Sequence, residues 1–140
     1  MKPEGPRTAI VACMDARLDQ AGFLDSFPAP VHVVRNAGGR VTGDALRSLA
    51  VSCGMGAKRI VVVHHTDCAM AKHSDEQLRA LLPDGADAEV EFLAIADPER
   101  ALREDVEAVR ASSLLPAEVE VTGFVYDLEA RAPRELAGGS

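Results

Sequence analysis

Short apolar runs rich in valine and isoleucine alternate with helical patterns along this chain, and this alternation constrains the fold more than any other feature. The runs cover residues 8–13, 31–35 and 59–65, and a looser one covers residues 119–126. An apolar run without polar alternation is typical of a strand that is covered on both faces, as in a parallel sheet. Helices between such strands imply right-handed crossover connections. The sequence therefore predicts one α/β domain over residues 1–140, with a mainly parallel four-stranded sheet flanked by helices.

Three segments between the strands carry helical patterns with recognisable start signals. They cover residues 42–54, 74–82 and 97–112. Thr42, Ser74 and Asp97 are residue types that cap helix N-termini, and Ser74 opens a capping box. In the second segment the pattern places three leucines on the inner face: Leu78, Leu81 and Leu82.

The composition excludes several classes of protein. A formal net charge of −7 in 140 residues, with no cluster of Lys and Arg, argues against a nucleic-acid-binding surface. The apolar runs are too short to cross a bilayer or to serve as a secretory signal. Three cysteines cannot form a complete disulfide framework, so we expect reduced thiols and a cytoplasmic location.

Cysteine and histidine residues lie where two predicted strands end. Cys13 ends the first strand, while His65 and Cys68 lie at the end of the third. The carboxyl ends of parallel strands share one edge of a sheet, so these side chains are expected to meet there. Two thiolates and one imidazole form a ligand set that zinc favours, and three protein ligands leave the fourth position of a tetrahedron open, as in catalytic zinc sites.

Two charged residues follow the first of these cysteines. Asp15 and Arg17 lie two and four positions beyond Cys13. A carboxylate beside the metal can accept a hydrogen bond from bound water, and an arginine that pairs with this carboxylate can keep it off the metal. If the pair were broken, Asp15 could become the fourth ligand and close the site.

These motifs together resemble the β-class carbonic anhydrases, and in particular their short prokaryotic branch. The resemblance runs from about Arg7 to Leu136 and is carried by four segments, residues 13–18, 35–38, 64–68 and 123–127. One departure is Ala69, where that branch usually has glycine. The resemblance implies a mainly parallel sheet, for which we expect the strand order 2-1-3-4 with room for an extra short C-terminal strand.

The resemblance also implies an activity and an assembly. The expected reaction is reversible hydration of carbon dioxide to bicarbonate and a proton, through attack by zinc-bound hydroxide. Cys13, His65 and Cys68 would be the zinc ligands, with Asp15 and Arg17 as the catalytic pair. The protein would be a homodimer with its active site at the interface. Two alternatives stay open: hydrolysis of carbonyl sulfide or carbon disulfide at the same zinc site, and a non-catalytic zinc-binding module.

Four further residues receive more ordinary interpretations. Gly39 is interpreted as a turn residue and is a secondary candidate for the substrate pocket. His64 neighbours His65 in a strand, so its side chain points to the opposite face and we assign it to packing or an interface. Asp67 is interpreted as a turn cap. Cys53 lies on the inner stripe of its helix and is interpreted as a buried thiol.

Overall fold

A five-stranded sheet forms the centre of the molecule, in a computed structural model that describes residues 6–27, 30–87 and 89–136. The strands are β1 (Thr8–Cys13), β2 (Val31–Asn36), β3 (Arg59–His65), β4 (Glu120–Asp127) and β5 (Ala132–Glu135). Their order is β2-β1-β3-β4-β5, with parallel pairing except between β4 and β5. This arrangement confirms the predicted mainly parallel sheet, the order 2-1-3-4 and the extra C-terminal strand.

Five α-helices connect or flank the strands in the described residues. They are α1 (Ala16–Gln20), α2 (Gly43–Gly54), α3 (Ala69–Lys72), α4 (Asp75–Arg79) and α5 (Pro98–Ala111). The predicted caps are confirmed, because the side chains of Thr42, Ser74 and Asp97 each accept a hydrogen bond from a backbone N–H in the first turn. None of these helices is long and apolar enough to cross a membrane.

The prediction for the second helical segment is wrong at its C-terminal end. Helix α4 ends at Arg79, so Leu81 lies beyond the last turn and no longer follows the 3.6-residue period that places Leu78 in the core. The Leu81 side chain is 79% exposed. Pro83 lies only two residues further on. A proline disfavours helical dihedrals at the residue before it, so the helix cannot easily continue to Pro83.

Alternate residues of β1 and β3 pack into two separate cores, one on each face of the sheet. On the first face, Ile10 and Val61 pack with side chains from α1, α3 and α4. On the second face, Val11 and Val62 pack against α2 and α5. Both strands are therefore covered on both sides, which explains their uninterrupted apolar sequences.

The parallel pairing of β1 with β3 decides where the site forms. Thr8 pairs with Arg59 and Ala12 with Val63, so the two strands end side by side. The polar residues that follow them therefore meet at one edge of the sheet, as expected for crevices at the carboxyl ends of parallel strands.

Candidate metal centre

The structure brings together the three residues that the sequence predicts as metal ligands. Cys13, His65 and Cys68 are all buried, and their potential ligand atoms lie within 4.8 Å of one another. Cys13 comes from the end of β1, His65 ends β3, and Cys68 immediately precedes α3. A metal ion held here would connect two strands that are not consecutive in the chain.

The His65 ring is oriented for ligation through one nitrogen. Its Nδ1 lies 2.7 Å from the carbonyl oxygen of Thr66, and because a carbonyl can only accept, Nδ1 carries the proton. Nε2 is then an unprotonated acceptor, and it is buried with no hydrogen-bond partner among the described residues. A metal ion would satisfy this lone pair. The backbone contact fixes the ring in the tautomer that ligation needs.

The two thiols share hydrogen bonding that favours a thiolate at Cys13. A hydrogen bond from the Cys68 thiol, together with backbone N–H groups, lowers the pKa of Cys13 far below its usual value. The same bond, together with burial, raises the pKa of Cys68. The backbone N–H of Gly38 also donates to Cys13 Sγ at 3.4 Å. Two sulfurs and one imidazole nitrogen are donors that suit zinc, so the residues present fit this metal.

Asp15 lies beside the three ligands but is held by Arg17. The guanidinium donates to both carboxylate oxygens, from Nε at 3.2 and 3.1 Å and from Nη2 at 2.7 Å. These bonds lower the pKa of Asp15 to about 2, so the carboxylate is ionised at neutral pH. Its Oδ2 is 3.9 Å from His65 Nε2, which places it near the position that a metal would occupy.

Arg17 also contacts a second carboxylate, which the sequence interpretation missed. Its Nη1 donates to Asp67 Oδ2 at 2.8 Å, and its Nη2 donates to the Asp67 carbonyl oxygen at 2.8 Å. Lys72 forms a further ion pair with Asp67 and, with Arg17, lowers the pKa of this carboxyl. The prediction that Asp67 caps the turn is therefore replaced by an ion pair that joins the segment after β1 to the turn after β3.

Gly39 lies directly behind the ends of β1 and β3. It is buried with a φ of +65°, and a Cβ there would lie 2.9 Å from the Val63 carbonyl oxygen and 3.0 Å from the Cys13 nitrogen. This close backbone approach explains the glycine without any contact with substrate. Its role in a substrate pocket stays a prediction.

His64 is not brought to the ligand group. Its side chain is buried on the other face, where Nε2 lies 2.8 Å from Asp105 Oδ2. Its burial agrees with packing, one of the two roles expected for it, although the contact with Asp105 is polar. Cys53 is only partly buried, so the expectation of a buried thiol is too strong, and burial raises its pKa.

The Asp105 partner of His64 was also missed, although the sequence carries a signal for it. Asp105 lies three residues after Leu102 and four before Val109, on the apolar stripe of α5. An acidic residue in such a position indicates a buried ionic partner.

A cavity of about 720 Å³ opens beside the turn that carries His65 and Cys68. Much of its wall is apolar and includes Ile95, Val125 and Leu136. The wall also includes Asp67 and Lys72, so the cavity borders the ion pair beside the ligand group.

Comparison with known proteins identifies the family of this chain. Residues 8–131 match the carbonic anhydrase family. β-Carbonic anhydrase 1 of Mycobacterium tuberculosis is 33% identical over 129 residues, covering 90% of this chain and 79% of the relative. The chain belongs to the β-carbonic anhydrase family. A carbonic anhydrase structure from Streptococcus mutans is 38% identical, with a TM-score of 0.82 over 96% of this chain and 83% of that one.

The chain is also similar to enzymes that are named carbon disulfide hydrolases. A carbon disulfide hydrolase from an Acidianus species is 32% identical over 160 residues, covering 95% of this chain and 78% of the relative. β-Carbonic anhydrases are zinc lyases, and Cys13, His65 and Cys68 form a group that can bind zinc. The similarity to both kinds of relative means that family membership alone does not select the substrate.

Proposed function

We propose that this chain is a zinc-dependent carbonic anhydrase that reversibly converts carbon dioxide and water to bicarbonate and a proton. The observation that carries the proposal is the position of Asp15, which lies next to a three-residue ligand group and is held away from it by Arg17. Three protein ligands leave one position of a tetrahedron for substrate chemistry. This arrangement favours a catalytic over a non-catalytic zinc module.

In this proposal Cys13, His65 and Cys68 would hold zinc, and the bound ion would act as a Lewis acid that lowers the pKa of water toward about 7. The ionised Asp15 can only accept hydrogen bonds, so it accepts one from the attacking water and directs an oxygen lone pair toward the carbon of carbon dioxide. Arg17 keeps Asp15 ionised and oriented. The new C–O bond forms bicarbonate, and the proton leaves to solvent or buffer.

Carbon disulfide or carbonyl sulfide hydrolysis is the second candidate activity. It is favoured by the similarity to carbon disulfide hydrolases over most of the chain. These linear molecules present the same electrophilic carbon to the same group of ligands. The donor atoms at Cys13, His65 and Cys68 therefore support both reactions, and a direct assay has to separate them.

We also propose that the protein is a homodimer with the active site at its interface. Met14 lies between Cys13 and Asp15, yet its apolar side chain is 67% exposed. Strand β2 is at the edge of the sheet and is only half-buried along its whole length. A second subunit would cover both features. Sedimentation should give twice the chain mass of 14.8 kDa, and an active monomer would contradict this proposal.

The remaining assignments follow from the site. We propose that residues 1–140 act as one domain, because β1 and β3 together supply the three ligands. A cytoplasmic location is proposed because reducing conditions keep Cys13 and Cys68 as thiols that can bind a metal.

Stopped-flow measurement of carbon dioxide hydration, run beside sulfide-release assays with carbonyl sulfide and carbon disulfide, tests the proposed function. We expect zinc-loaded protein to hydrate carbon dioxide and to release sulfide more slowly. Cys68→Ser should abolish hydration, whereas the matched variant Cys53→Ser should keep it, because Cys53 lies outside the ligand group. Sulfide release without carbon dioxide hydration would select the second activity. The absence of both activities would refute both proposals.

A further inference from the structure

Asp105 is a carboxylate in the middle of the apolar face of α5. It is 4% exposed and lies among Leu102, Val106 and Val109, which pack against the second face of the sheet. A buried carboxylate is costly to the fold unless it is fully partnered. The reaction proposed above does not use this residue, so its place in the core needs another explanation.

Three donors from two other segments converge on this carboxylate. Oδ2 accepts from Arg40 Nε at 2.7 Å and from His64 Nε2 at 2.8 Å. Oδ1 accepts from the backbone N–H of Val41 at 3.1 Å. Arg40 and His64 are themselves buried, and Arg40 also forms an ion pair at 3.5 Å with Glu104, which is exposed and connects the network to the surface.

One of the two segments is the loop that supports Cys13. Arg40 N–H donates to Asn36 Oδ1 at 2.9 Å, and the Asn36 amide donates back to the Arg40 carbonyl at 2.8 Å, which closes the loop over residues 37–39. Within this loop the Gly38 N–H donates to Cys13 Sγ. The position of Arg40 therefore sets the direction of a donor to a ligand atom.

The other segment is the end of β3. His64 immediately precedes His65, and the two side chains lie on opposite faces of the strand. Holding the His64 ring from the α5 side fixes the backbone from which the His65 ring projects. Arg40, from the loop beside Cys13, and His64, the neighbour of His65, therefore both bind the Asp105 carboxylate.

We propose that Asp105 is a positioning residue of the metal centre. Resting on the proposed zinc site, this inference assigns it the task of fixing, through Arg40 and His64, the Gly38 N–H and the His65 ring in the arrangement that zinc needs. It acts from the opposite face of the sheet and contacts none of the three ligands.

The test separates this role from simple stabilisation of α5. Zinc affinity is measured by competition with a chromophoric chelator, and cobalt(II) replaces zinc to report thiolate ligation by its charge-transfer absorption. Asp105→Asn keeps the shape but replaces one acceptor oxygen with a donor, so we expect zinc affinity to fall by about 10- to 100-fold and the cobalt absorption to change. The matched control Val106→Ala, one residue further along α5, should lower the melting temperature without changing zinc affinity.

Asp105→Asn that binds zinc within about twofold of wild type, or Val106→Ala that loses as much affinity, would overturn the inference. If Asp105→Asn does not fold, the double variant Arg40→Met/Asp105→Asn removes both buried charges and is judged by the same criterion. A wild-type chain that binds no zinc would overturn the proposed function itself. Equal binding by wild type and variant would overturn only the positioning role.

Discussion

His64 and His65 are neighbours on one strand and are both buried, yet their surroundings are opposite. His65 presents an unpartnered Nε2 next to two thiols, with its Nδ1 proton held by a backbone carbonyl. His64 uses its Nε2 to contact Asp105 and lies in an ionic network with Arg40. The nitrogen that is available for a metal in one ring is occupied by a carboxylate in the other.

This difference shows that a histidine's role depends on the face of the sheet to which it points. Residue type and burial are the same for both side chains. The alternation of side chains along β3 sends His65 to the edge where Cys13 ends β1 and sends His64 toward α5. One strand can therefore carry a ligand and the support for that ligand in consecutive residues.

Replacing each histidine with alanine tests the comparison, and the largest expected effect on zinc affinity comes from His65→Ala. Loss of a residue that only supports a metal ligand lowers metal affinity by up to about 100-fold. His65→Ala removes a ligand itself, so zinc affinity should fall by more than this. His64→Ala removes only a support and should cost about 10-fold. Chelator competition on both variants gives the two values. Equal losses, or a larger loss for His64→Ala, would contradict the assignment.

The Asp15–Arg17 pair should show the next largest effect. Asp15→Asn removes the charge that orients the attacking water, and we expect carbon dioxide hydration to fall by about 100-fold with zinc retained. Arg17→Ala frees Asp15 to ligate the metal and close the site. The double variant should therefore be more active than Arg17→Ala alone, a strongly non-additive result.

Stopped-flow rates and zinc content of the three variants decide this prediction. Simple addition of the two single losses would show that Arg17 does not hold Asp15 away from the metal. Loss of zinc in Asp15→Asn would instead make Asp15 part of the ligand set.

Much of this arrangement could be predicted from the sequence because its signals are local. The helix caps at Thr42, Ser74 and Asp97 depend on a few adjacent residues, and the ends of two apolar runs located the ligand group. The arginine partners of Asp67 and Asp105 could not be identified this way. Each contacts an arginine 50 or 65 positions away, a distance over which sequence spacing carries no geometric information.

Removing zinc should lower the free energy of unfolding of the whole fold. The metal joins the ends of β1 and β3, so zinc at about 100 times its dissociation constant should stabilise the fold by about 2.7 kcal/mol. Chemical unfolding with zinc and with chelator measures this difference. Cys53→Ser should show the same difference as wild type, and a chelator-insensitive midpoint would exclude metal binding by the folded chain.

Asp67 should give the smallest effect and sharpens the contrast with the buried Asp105. Its ion pairs with Arg17 and Lys72 are exposed, so Asp67→Asn should change zinc affinity by no more than about fivefold. Because Lys72 and Arg17 lower the pKa of Asp67, these pairs stabilise the fold at neutral pH and are lost as pH falls through the lowered pKa. Melting temperatures of Asp67→Asn and wild type should therefore converge in acid. A difference in melting temperature that grows as pH falls would contradict this prediction.

X-ray absorption at the zinc K edge tests the central claim most directly, namely that zinc binds on the His65 face and not on the His64 face. The account predicts two sulfur scatterers at about 2.3 Å and lighter scatterers at about 2.0–2.1 Å, including one imidazole. The imidazole signal should persist in His64→Ala and disappear in His65→Ala. Zinc without two sulfur ligands, or an imidazole signal that disappears in His64→Ala, would contradict it.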